Sequence, residues 1–159
     1  MNIEFDVKMT TGKLYDYMLR HTFNSFSGIL GEIVGIILLI GFFAYKTPTF
    51  LFGGILVTLY LPVALFANAR KQVKLTPAFK QPLHYCLTEE GIEVTAGEAK
   101  DFQAWKDMVK AVSTNKNIII YTSKVNACLF PREDLKEKQE DVIKMISSHM
   151  DPKKVNIRL

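Results

Sequence analysis

Charge is missing from two long stretches of this chain. Residues 47–69 contain no acidic or basic side chain, and residues 21–45 contain only Glu32 besides His21. A helix crossing a bilayer needs ~20 mainly apolar residues, so either stretch is long enough to span. Cysteine is equally scarce: Cys86 and Cys128 lie far apart, with no paired CxxC. The three histidines (His21, His84 and His149) are just as scattered, which excludes zinc-ligand spacing. No glycine-rich loop is placed to cradle phosphate, because Gly53 and Gly54 fall inside an apolar stretch. No serine has a plausible histidine and acid around it. The first 20 residues are polar and include Glu4, Asp6 and Asp16, so they lack the early apolar run of a signal peptide. A dense basic stripe is also absent. The net charge is only +4, and residues 70–159 hold 16 Lys and Arg against 12 Asp and Glu. That balance excludes a nucleic-acid footprint.

What is present begins with the apolar stretches. They predict two spans, at about residues 27–45 and 50–68, joined only by Lys46, Thr47, Pro48 and Thr49. So short a connection forces the helices antiparallel and puts both termini on one side. Lys13 and Arg20 precede the first span; Arg70, Lys71, Lys74 and Lys80 follow the second; the connection has only Lys46. Positive residues stay in the cytoplasm, so both ends are expected there. The rival reading, a hairpin buried in a soluble core, would need more chain to wrap it than the 159 residues supply. Gly28, Gly31 and Gly35 offer small-residue packing, within the hairpin or between two copies. Pro62 should free the carbonyl of Thr58, with Thr58 itself or a neighbour compensating. Glu32 is a candidate intramembrane polar site. It lies about two turns from the cytoplasmic end, where snorkelling to the interface or pairing with Arg70 or Lys71 is the structural alternative.

Ahead of the hairpin, Ile3, Phe5 and Val7 alternate with charged residues, a strand pattern. Thr10 or Thr11 then caps a helix toward the membrane. It reads either as an interfacial helix or as an extension of the first span. The strand lacks a local partner, so it is expected to pair with the C-terminal domain, making the hairpin an insertion within one folded unit. From Pro82 onward the period becomes two. Strands are expected near residues 83–87, 92–96, 100–104, within 105–113, at 118–121 and at 127–130, with turns at 88–91, 96–98, 115–117 and 123–126. Trp105 and Cys128 read as core. Asp134 is expected to cap a final helix over residues 135–150, whose apolar face is Leu135, Val142, Ile143, Ile146 and Met150.

Taken in order, these motifs resemble a known family. Leu87, Thr88, Glu89, Glu90, Gly91 and Ile92 come first, then Trp105, Lys106, Asp107, Met108 and Val109, then the 118–121 strand, then Phe130, Pro131 and Arg132 before a terminal helix. With the leading strand, helix and hairpin, the chain resembles the YcxB-like membrane proteins of bacteria. The resemblance implies a C-terminal domain classed with pleckstrin-homology-like (PH-like) folds. It implies no activity and no binding residues.

The expected fold class is an α+β membrane protein: a two-helix transmembrane hairpin plus a small antiparallel β (PH-like) domain closed by a C-terminal helix. The expected parts are an N-terminal strand and interfacial helix (1–26), the hairpin (27–69), a basic juxtamembrane linker (70–81) and the cytosolic domain (82–159). No catalytic residue, metal or cofactor is expected. The leading functional expectation is a non-enzymatic module binding a protein or peptide partner at the inner face of the bacterial cytoplasmic membrane. Two alternatives stay open. One is an anionic-lipid sensor using Arg70, Lys71 and Lys74; the other is a homo-oligomeric transport or channel component using Glu32. The lipid bilayer is a partner in all three.

Overall fold

A computed structural model describes residues 2–124 and 126–158. Val125, within the turn expected at 123–126, lies outside the described residues, as do Met1 and Leu159. The structure is α+β, with two long apolar helices and two mainly antiparallel four-stranded sheets.

The first sheet runs β1 (Ile3–Val7), β2 (Leu83–Leu87), β3 (Gly91–Ala96) and β4 (Ala99–Ala104), all antiparallel neighbours. In β1 every second residue is buried, as the alternation predicts. β1 pairs with β2 from Ile3 opposite Leu87 to Val7 opposite Leu83. The hairpin is therefore an insertion between two adjacent strands of one sheet. The second sheet is built from β5 (Lys110–Ser113), β6 (Asn117–Tyr121), β7 (Ala127–Pro131) and β8 (Val155–Asn156), in the order β7-β6-β5-β8. β6 is buried along its whole length. Its apolar run suits a strand covered on both faces. One cover is α1 (Thr11–Phe23), whose Tyr17 ring lies 6.1 Å from that of Tyr121. Trp105, in the single turn between β4 and β5, is core, and its indole N–H donates to the Thr88 carbonyl at 2.9 Å.

α1 is a separate helix and does not extend the first span. Thr10 caps its start, and Ser25 caps α2 (Phe26–Tyr45) immediately afterwards. The Ser25 hydroxyl also donates to the Thr22 carbonyl at 2.6 Å, closing the corner. Gly28 is required there, because a Cβ would collide with the Thr22 carbonyl oxygen. Lys46 takes a left-handed conformation (φ 52°), and α3 (Pro48–Leu75) returns. Gly35 touches the Thr58 hydroxyl and Gly54 touches Leu39, so these glycines let α2 and α3 approach closely. Gly31 meets nothing, so the small-residue spacing is only half used within the hairpin. Pro62 sits within α3, but the Thr58 hydroxyl is buried without a hydrogen-bond partner. The compensation expected from it is not made.

Both helices are long and apolar enough to cross a membrane. Their apolar side chains point outward: Ile40, Phe43, Phe52, Leu56 and Val63 are all more than 60% exposed. The hairpin is thus not the buried core of a soluble fold. α3 continues seven residues past Asn68, so the basic segment expected as a linker begins as rigid helix. Ala69 and Val73 of that extension pack on the domain.

The C-terminal helix is broken. α4 (Arg132–Leu135) ends at Lys136, whose φ is 50°, and α5 (Gln139–His149) follows a single tight turn. Asp134 lies inside α4 and caps nothing. Its carboxylate instead accepts from the Lys13 ammonium at 2.7 Å, an attraction stronger than a local cap. Leu135, Val142, Ile146 and Met150 enter the core as expected; Met145 joins them, while Ile143 is only partly buried. β8, beyond the expected end of the final helix at residue 150, adds parallel to β5.

Candidate functional site

The two sheets do not close on each other along their outer sides. β4 ends one sheet and β7 ends the other, so each has one backbone edge without a strand neighbour among the described residues. Between these edges opens a groove of about 640 Å³. β2 and α1 form its floor through Leu83, Tyr85 and Leu14, and its walls carry Val94 on one side and Leu129 on the other. One end abuts the domain-facing stretch of α3 and the following turn, through Gln72 and Phe79. The floor is rigid, because Tyr85 stacks on Phe5 and meets Phe130 edge-on at 4.9 Å.

Burial sets the titration of the groove's polar side chains. Its thiol, Cys128, is buried, and burial pushes its pKa up to about 12, with the Asp101 charge adding to the shift. It is therefore a protonated thiol at neutral pH, without nucleophilic character. Burial likewise raises the Tyr85 phenol above its ordinary value. Cys86, on the opposite face of β2, is also shifted upward, first by burial and then by Glu4 and Glu93. Both cysteines are free. Among the described residues no group of His, Cys, Asp and Glu side chains could hold a metal ion. What the groove offers is apolar floor area flanked by two unpaired strand edges, the setting in which an extended peptide adds as a strand.

The residues singled out from sequence fall elsewhere. Arg70, Lys71 and Lys74 are exposed on the last turns of α3. At 3.6 residues per turn they share one face, turned away from the packed Ala69 and Val73. Glu32 is partly exposed near the start of α2 and makes no ion pair with Arg70 or Lys71 among the described residues. Arg132, from the Phe130, Pro131 and Arg132 motif, turns inward, its Nε donating to the Thr114 carbonyl at 3.4 Å. Sequence analysis named none of the groove residues as a site. A period of two says which side chains share a face of a strand, but nothing local says which strand edges stay open.

The family described as YcxB-like protein has a model that matches residues 87–146, the family to which the ordered motifs pointed. That segment runs from the end of β2 into α5 and includes the edge strands on both sides of the groove. No curated protein and no solved structure matches the chain.

Proposed function

We propose that this YcxB-like chain is a membrane-anchored, non-enzymatic module that binds an extended segment of a protein partner at the cytoplasmic face of the membrane. The observation that carries this reading is the open groove, apolar at its base, between the unpaired edges of β4 and β7. The anchoring is supported by the outward apolar faces of α2 and α3. α3 passes without a break from the apolar hairpin to the end of the groove, so the groove stands at a set height above the bilayer. Confinement to the membrane surface raises its effective concentration toward a membrane-bound partner. The domain reads as PH-like: a four-stranded meander, a three-stranded meander and a closing helix, with the hairpin inserted after the first strand. On the same placement, Arg70, Lys71 and Lys74 face the headgroup layer. There each contributes ~1 kcal/mol of attraction to an anionic leaflet.

Two experiments test this. For the groove, Gln103 is replaced by a photoreactive benzoylphenylalanine in the full-length protein in its own membrane. Irradiation is expected to give a discrete adduct with a second protein. The same probe at Lys144, exposed on α5, gives none, and Ala127→Arg, which fills the groove, abolishes the adduct at position 103. Equal adducts from both positions, or an adduct indifferent to Ala127→Arg, overturns the proposal. For the topology, a cysteine placed at Thr47 in a Cys86→Ser background is expected to react with an impermeant maleimide in intact cells. One placed at Glu98, in the exposed β3–β4 turn, reacts only after permeabilisation. The reverse pattern refutes the cytoplasmic placement of the domain.

A further inference from the structure

A second cavity, of about 440 Å³, lies on the far side of α1 from the groove. Its lining is polar: Arg20, Ser113, Thr114, Asn115, Arg132 and Arg158 are among the residues around it. Three arginines from parts of the chain distant in sequence line it. Arg20 comes from the last turn of α1, Arg132 opens α4, and Arg158 follows β8. The rim is fixed by hydrogen bonds. The Arg158 backbone N–H donates to Ser113 Oγ at 2.8 Å, and Arg132 donates both to the Thr114 carbonyl and to the Arg158 carbonyl.

Among the described residues none of the three arginines makes an ion pair. Arg20 Nε is buried and has no hydrogen-bond partner. The nearby carboxylate, Asp16, is already engaged, accepting from Thr114 Oγ1 and Asn117 Nδ2 at 2.6 Å each. A neighbouring cavity that shares Arg20 adds His21, Lys110 and Lys124. The buried Arg20 Nε is a donor left unsatisfied, which is costly unless an acceptor completes it, and the half-buried Arg132 and exposed Arg158 add positive charge around the same cavity.

We propose that this cavity binds a phosphate group. Guanidinium forks match phosphate oxygens in pairs, and the exposed Asn115 side chain offers a further polar partner. A single carboxylate would leave most of the positive charge unmatched, whereas a phosphate carries up to two negative charges. The volume falls within the ~300–1,000 Å³ of small-ligand sites, so the phosphate can carry a further group. Two sources share this chemistry: a lipid headgroup and a soluble phosphate compound. Arg20 lies five residues before Ser25, the cap of α2. A lipid source therefore rests on the membrane placement proposed above; the phosphate site itself does not.

The test uses the full-length protein in an uncharged detergent, with inorganic phosphate as probe at constant ionic strength. Phosphate is expected to raise the unfolding temperature saturably, and acetate and chloride are not. Arg20→Gln should weaken phosphate binding about tenfold, the effect of one lost charge-assisted contact, without changing the phosphate-free unfolding temperature. Arg20→Lys, which keeps the charge but loses the fork, should fall between. Acetate as effective as phosphate, or an undiminished response in both Arg20→Gln and Arg158→Gln, overturns the proposal. In bilayer discs, competition by phosphatidylglycerol but not phosphatidylcholine assigns the site to a lipid phosphate. Phosphate binding unaffected by either lipid assigns it to a soluble compound. If the maleimide pattern reverses while phosphate binding in detergent persists, the membrane placement fails and the anion site stands.

Discussion

Lys13→Met should lower the unfolding free energy by about 3 kcal/mol, the lower end of the range for breaking a buried ion pair. Lys13 is 8% exposed, yet its ammonium serves three acceptors: Asp134 at 2.7 Å, Glu133 at 2.9 Å and the Lys8 carbonyl at 2.9 Å. Removing it leaves Asp134, only 19% exposed, without its cation. Glu133 is largely exposed and loses little, which keeps the cost below the maximum. The expected fall in melting temperature is roughly 5–10 °C for a chain of this size. An unchanged midpoint would show that the trio holds nothing together. Pairing the change with Asp134→Leu should restore most of the loss, because an apolar pair of similar volume replaces the ionic one. The pH dependence has a definite sign. Burial alone would depress the Lys13 pKa, but its hydrogen bonds to Asp134 and Glu133 and their charges outweigh burial, and the pKa is raised. Its stabilising contribution is therefore complete below the ordinary lysine value of about 10.4 and is lost as pH rises through the folded value. Alkaline melting should show that loss in the parent protein and not in Lys13→Met.

Phe130→Ala should cost more, about 3–5 kcal/mol. Phe130 is fully buried on β7 and its ring meets two others: Phe5 of β1 at 5.1 Å and Tyr85 of β2 at 4.9 Å. This trio joins the two sheets, and it ties the strand before the hairpin to strands that follow it by about 80 and 125 residues. A methyl group cannot reach either ring, so the substitution loses both contacts and leaves a cavity. The melting temperature should fall by on the order of 10 °C, and β1 should become sensitive to protease while α2 and α3 stay protected. A loss under 1 kcal/mol, measured by denaturant titration of the same sample, would mean that the core collapses around the gap.

The parts legible in the sequence were those written in local periods. The two apolar stretches predicted α2 and α3 to within two residues at three of their four ends, because backbone hydrogen bonds within a helix need no distant partner. The alternation of Ile3, Phe5 and Val7 predicted β1, and its want of a local partner predicted where it pairs. Two of the misreadings concern distant partners. Asp134 had every local mark of a helix cap, but an ammonium 121 residues away claims it. The parallel addition of β8 depends on β5, a distant segment, and no nearby residue signals it.

The sequence by itself determined that the chain carries an antiparallel pair of long apolar helices beside a small α+β domain, since length, hydropathy and period are local properties. Only the tertiary structure decided that the hairpin interrupts a sheet, that the edges of β4 and β7 stay open over an apolar floor, and that Arg20, Arg132 and Arg158 converge. Each of these depends on which segments meet in space. A pattern of alternating side chains states which face is inward, but not which edge remains unpaired or which charges become neighbours.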